Sequence, residues 1–202
     1  MHQAISNGPK CLAKVGGRSL IEHQLSLFES AGVKRIAVVI GYAGAKVREA
    51  VAGRADIIHN PAWDKTEGLY SLHLCRDWIT GPLLVLNCDV LLHPAALERL
   101  LESGPNSLVF DSSSGRDAEQ MAVEFDGEYL ATMSKNLPFD RTHGENVGVL
   151  YFDFASSAPF IARGRSDGTV WRAQSAFTFG AAGRALHSLS RHRRRRSVLD
   201  RN

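Results

Sequence analysis

Three short apolar runs, KRIAVVIGY (34–42), ADIIHNP (55–61) and PLLVLNCDVLL (82–92), are each followed by a stretch with helical spacing. Strands that alternate with helices of about ten to fifteen residues favour right-handed crossovers and a mainly parallel sheet covered on both faces. The helical stretches carry their own signals. Ser19 and Glu22 fit a capping box, Leu20, Ile21, Leu25, Phe28 and Ala31 form an apolar stripe with Gln24 as its polar exception, and Gly32 is a C-terminal stop. Val47 and Val51 mark a second helix, Leu69, Leu72, Cys75, Arg76 and Ile79 a third, and Pro94 opens a fourth with Leu97, Leu100 and Leu101 on one face. After Gly104 the pattern changes to SLVFD, EQMAVEF, the turn Asp126-Gly127, EYLATMS and NVGVLYFDF, which predicts an antiparallel hairpin joined to the sheet.

With 202 residues, 44% hydrophobic and 22% charged, the composition suits one globular α/β domain. No apolar run reaches the roughly 18 residues needed to cross a bilayer, and no basic segment leads into a long apolar stretch at the N-terminus, so a cytoplasmic chain is expected. Cys11, Cys75 and Cys88 lack CxxC spacing and are expected as buried, reduced thiols. Charge is uneven: Ala155 to Asn202 holds ten Arg, no Lys and two Asp, a charge of +8, which leaves the first 154 residues at −5 within a total of +3. Domain boundaries at 1–154 and 155–202 follow. The second segment, rich in Arg, Ser, Ala and Gly and ending in RHRRRR (191–196), predicts a tail that is disordered or read out of frame. Its arginines also suit phosphate contacts with a nucleic acid, but solvated disorder outweighs that role because aromatic residues do not interleave with the run.

In open parallel sheets ligands bind beyond the carboxyl ends of strands. Asp89, closing the most apolar run, is therefore placed either to meet Mg²⁺, which takes one or two protein carboxylates plus phosphate oxygens, or to cap a turn. Lys10, ahead of a short apolar step and a Gly-Gly turn, is either a surface lysine or a counter-charge for phosphate. Lys135 after TMS and Glu145 in HGENVGV are further polar candidates, and Gly148 marks a bulge or a close backbone approach. The histidines show no metal spacing.

PKCLAKVGGRSLIEHQL, VVIGY, NPAW, SLHL, LLVLNCDVLLHP, EQMAVEF, MSK and GENVGVLYFD stand in an order that resembles nucleotidyltransferases of the sugar-1-phosphate and phosphocholine cytidylyltransferase type, from Pro9 to Asp153. The resemblance implies a Rossmann-like fold and transfer of a nucleotidyl group from an NTP to a small phosphorylated acceptor, with Mg²⁺ and release of pyrophosphate. It assigns Lys10 to the phosphates, Asp89 to catalytic metal, Asn60 and Ser71 to the segment approaching nucleotide or acceptor, and Lys135 and Glu145 to the acceptor side.

The pattern departs from that type in three places. A GxGxR loop ahead of Pro-Lys is expected to cradle the triphosphate, whereas MHQAISNG has one glycine and no arginine, so the usual first strand and glycine-rich loop are expected to be missing. Glu67 stands where relatives carry Asn after Thr. No Glu-Ile-Asp context follows Asp153 to supply a second acidic metal position. These departures set two alternatives beside an active transferase: a catalytically silent, truncated relative, and a nucleic-acid-binding protein acting through its Arg-rich tail.

Overall fold

In a computed structural model, the structure describes residues 8–66, 68–113, 121–155, 176–177 and 184–185. A 3₁₀ turn, Lys10–Leu12, leads into a short antiparallel pair, β1 (Lys14–Val15) and β2 (Arg18–Ser19), joined through Gly16 and Gly17. Ser19 then caps α1 (Leu20–Ser30). Its Oγ accepts from the Glu22 backbone N–H at 3.4 Å, and Glu22 Oε2 accepts from the Ser19 backbone N–H at 2.7 Å, the capping box predicted from sequence. Substituting Ser19 by Ala removes the oxygen that satisfies an otherwise unpaired N–H. The expected cost is about 1 kcal/mol, seen as a lower midpoint in urea unfolding.

β3 (Ala37–Ile40), α2 (Gly44–Val51) and β4 (Asp56–His59) form a parallel crossover unit, in register from Ala37 opposite Asp56 to Ile40 opposite His59. α3 (Gly68–Leu74), β5 (Leu83–Leu86), α4 (Pro94–Glu102) and β6 (Ser107–Asp111) follow, with Pro94 in the first turn of α4 as expected. β7 (Ala122–Asp126) and β8 (Tyr129–Ser134) make the predicted hairpin, turning at Asp126–Gly127. A 3₁₀ turn, Phe139–Arg141, precedes the long β9 (Gly144–Phe152). Two short strands, β10 (Ala176–Phe177) and β11 (Arg184–Ala185), pair with β8 and with β6 and β8 respectively.

The α/β class stands, but parallel strands are less often neighbours than the alternation suggests. Among the described residues β3 and β4 form a separate parallel pair, and β5 and β6, which run the same way, are separated by β9 lying antiparallel between them. β9 lies centrally, and its successive residues face two apolar layers: Val149, 1% exposed, joins Leu97, Leu100 and Val109 in one core, while Leu150 packs against Leu108 and its neighbours. α1 spans the two sheets. Its Ile21 and Leu25 pack with Cys11, Ile40, Val47 and Val51, while Leu27 and Phe28 pack against the core beneath β5, β6 and β9. A third core, Leu108, Phe110, Val123, Leu130 and Met133, seats the hairpin on β6.

β5 is half-buried along its whole length, where its composition predicts a fully buried strand, because only β9 pairs with it among the described residues. Cys11 and Cys75 are buried as expected, and burial pushes each thiol up to about 11. Cys88 is exposed instead, because it falls in the turn beyond β5 rather than in the strand. The expectations of a missing first strand and loop (residues 1–7) and of altered recognition at Glu67 lie outside the described residues, as does most of the 155–202 tail. Among the described residues no helix is long and apolar enough to cross a membrane.

Candidate functional site

The registers define one working edge. Leu86 at the end of β5 lies opposite Val149, and Asp111 at the end of β6 lies opposite Glu145, so the carboxyl ends of β5 and β6 and the start of β9 share a rim. Asp89 stands three residues beyond β5 on that rim, and Lys10 reaches it: Nζ lies 3.6 Å from Asp89 Oδ2, with the side chains 70% and 45% exposed. The structure thus brings together the two residues expected to handle phosphate and metal. Each is preset locally. Pro9 holds φ at −57° and its carbonyl accepts from Leu12 N–H at 2.9 Å, closing the turn that presents Lys10.

The Asp89 turn is held from two sides. The Asn87 N–H donates to the Gly148 carbonyl at 2.9 Å, extending the β5–β9 ladder by one residue. Gln24, 6% exposed in the middle of α1, donates through Nε2 to the carbonyls of Asn87 at 2.9 Å and Val90 at 2.7 Å. These bonds satisfy a buried amide and fix the backbone on both sides of Asp89. Gln24 is a positioning residue that motif matching passes over. Its signal in the sequence is the one polar position on an apolar helical stripe.

Gly148 has φ +78°, and a Cβ there would lie 2.6 Å from Asn87 Cγ, so the predicted close approach is real and is made by the turn that carries Asp89.

β7 pairs with Glu145 and Gly144 on the edge of β9 that β5 occupies further along. The hairpin therefore continues past the carboxyl end of β5 as a wall. Glu145, 3% exposed, lies at its foot, level with Ala122 and, one strand further, Ser134. Lys135, exposed, follows Ser134, so these two candidates occupy the same level of the rim, two strand spacings or about 10 Å apart.

Arg141 clamps the hairpin to the loop before β9, with Nε and Nη2 each 2.7 Å from a Glu124 carboxylate oxygen. Arg141 holds the Glu124 carboxyl below its ordinary range, and Glu124 raises the guanidinium in return. Because the folded-state value is lowered, the clamp contributes fully above the ordinary Glu range, and its contribution fades as pH falls through the lowered value. An NMR titration of the Glu124 side-chain carboxyl should give a midpoint below that of an unpaired glutamate, returning toward it in Arg141→Ala.

Asn60 and Ser71 are also brought together, but by bonding to each other. Asn60, 3% exposed just past β4, donates through Nδ2 to Thr66 Oγ1 at 3.0 Å and Ser71 Oγ at 3.2 Å, and its Oδ1 accepts from Ala62 N–H at 2.9 Å. Asn60 thus ties the turn after β4 to α3. Cys11, beside Lys10 in the 3₁₀ turn, shares a core with Ile40, the last residue of β3, and Ile40 lies opposite His59, the residue before Asn60.

Among the described residues no group of three or more His, Cys, Asp or Glu is placed to hold a metal. A single half-exposed carboxylate, Asp89, fits Mg²⁺ bound mainly through water and phosphate oxygens rather than in a protein cage.

Comparison with known proteins bears on the family and the fold. Residues 5–201 match the family described as the MobA-like NTP transferase domain. Over 132 residues the chain is 30% identical to the CMP-5'-(3-aminopropyl)phosphonate synthase of Streptomyces rubellomurinus, covering 63% of this chain and 21% of that one. It is 22% identical over 174 residues to the CTP:phosphoglutamine cytidylyltransferase of Campylobacter jejuni, covering 76% of this chain and 68% of the relative. The fold is shared with the inositol-1-phosphate CTP transferase from T. maritima at a TM-score of 0.64 and 17% identity, over 83% of this chain and 68% of that one. The chain spans about a fifth of the length of the Streptomyces relative.

Proposed function

Because the chain belongs to the family of MobA-like NTP transferase domains, we propose that it transfers a nucleotidyl group from an NTP, with CTP the first candidate, to a small phosphorylated acceptor. An acceptor phosphate oxygen attacks the α-phosphorus, the bond from that phosphorus to the bridging oxygen breaks, and pyrophosphate leaves with the electron pair. Phosphoryl and nucleotidyl transfer ask a protein mainly to position reactants and offset charge. Lys10 supplies a positive charge at the carboxyl edge of β5. Asp89 would hold Mg²⁺, which when bound offsets negative charge on phosphate oxygens. Gln24, with the ladder bond from Asn87 to Gly148, keeps the Asp89 turn in place while the reactants align. Lys135 and Glu145, level with one another beside the hairpin, suit the acceptor side. CTP is favoured because the Streptomyces and Campylobacter relatives carry a CMP conjugate and CTP, respectively, in their names.

The observation that carries this function is the Lys10–Asp89 pair, 3.6 Å apart at the rim and fixed from α1 and β9. The test is pyrophosphate release from each of the four NTPs with a panel of sugar 1-phosphates, phosphocholine and small phosphonates. Release that requires both CTP and an acceptor is the expected result. Absence of turnover and of nucleotide binding with every pair rejects it.

A further inference from the structure

We infer that Tyr42 and Trp63 form the platform on which the nucleobase of the NTP stacks, an inference that rests on the nucleotidyl-transfer function proposed above. Tyr42 leaves the carboxyl end of β3 and Trp63 follows the carboxyl end of β4, two adjacent parallel strands. Such strand ends are where open α/β sheets bind ligands. Their rings lie 5.4 Å apart, tilted by 53°, yet the residues remain 52% and 46% exposed, and neither joins any of the three apolar cores. Two large aromatic side chains left half in water beside each other are a contact surface waiting for a flat apolar partner.

The pair is built into place. A Cβ on Gly41 would lie 2.6 Å from Trp63 Cγ, so the bare backbone of residue 41 admits the indole against it. Asn60, through its bonds to Ala62, Thr66 and Ser71, fixes the turn on which Trp63 rides. The layout separates the parts of the reaction. Lys10 sits on the segment that packs against α2, on the β3–β4 side, and Asp89 sits on the β5–β9 side, so their ion pair bridges the two sheets. With Lys135 and Glu145 beside the hairpin on the β9 side, the β3–β4 side is left for the nucleoside, with its phosphates reaching back to Lys10.

Stacking on aromatic side chains is worth about 1–3 kcal/mol per base, which is a change in affinity of about five- to 150-fold. Calorimetry should therefore show CTP binding weakened at least about fivefold in Trp63→Leu and largely retained in Trp63→Phe. Inorganic tripolyphosphate should bind both variants as it binds the unaltered chain. Cytidine alone should quench tryptophan emission in the unaltered chain and not in Trp63→Leu. Circular dichroism and thermal unfolding establish that the variants are folded. If CTP binds Trp63→Leu and the unaltered chain equally, the platform is wrong while nucleotidyl transfer stands. If choline, and not cytidine, quenches the emission, the pair serves a cationic acceptor and the inference fails. If no nucleotide binds the unaltered chain, both fail together.

Discussion

Asp89→Asn should lower nucleotidyl transfer by about 10²–10³-fold, or roughly 3–4 kcal/mol in the barrier, with almost no change in stability. The substitution keeps shape and hydrogen-bonding capacity but removes the negative charge that would hold Mg²⁺ against the phosphates. The effect on folding is small because the Lys10–Asp89 pair is exposed and 3.6 Å long, a class of ion pair worth at most about 1 kcal/mol. Pyrophosphate release measures the first quantity and thermal unfolding the second. Lys10→Ala should also lower the rate, and the double variant should lose less than the sum of the single losses, since the two charges act on the same phosphates. Unchanged turnover in Asp89→Asn would remove this residue from the chemistry. A loss of several kcal/mol in stability would make it a structural residue instead.

Gly148→Val should produce the largest loss of stability among these substitutions, about 2–6 kcal/mol. Two costs combine. At φ +78° a β-branched residue occupies a region strained by about 1–3 kcal/mol, and its Cβ would be driven into the Asn87 side chain, where overpacking costs about 1–3 kcal/mol. Guanidinium unfolding of Gly148→Val beside Gly148→Val/Asn87→Ala separates them, since trimming Asn87 relieves the clash but not the backbone strain. The same substitution should reduce activity, because Asn87 lies two residues before Asp89 and donates its N–H to the carbonyl of residue 148. A Gly148→Val chain as stable as the original would mean that the backbone at this point is free to move aside.

What could be read from the residues alone was local. The capping box at Ser19 and Glu22, the helix opened by Pro94 and the turn at Asp126–Gly127 each depend on contacts within a few residues, and each is found where predicted. The place of Asp89 was legible for a related reason: a long apolar run that turns polar marks a nearby strand end, and β5 ends at Leu86, three residues earlier. The order of strands was not legible. Nothing near Leu83–Leu86 or Ser107–Asp111 announces that β9, from much later in the chain, will lie between them, because pairing register is decided by long-range packing. Gln24 was half legible. Its place on an apolar stripe marked it as an exception, but the carbonyls it serves are 63 and 66 residues away. Asn60 and Ser71 could be picked out as candidates, while their bond to one another could be seen only in three dimensions.

The position of β9 also sets a schedule. β5 and β6 are both made before residue 144, but each pairs along the sheet with β9, so neither has that partner until the ribosome has released residues Gly144–Phe152. Pairings of such long sequence separation form slowly, and strands with open edges are prone to join other chains. During synthesis, the Asp89 turn lacks its bond to the Gly148 carbonyl until that residue arrives. The rim is thus completed by one of the last strands of the sheet to emerge, and a chain halted before that point would carry Lys10 and Asp89 with the Asp89 turn held by Gln24 but without its bond to β9.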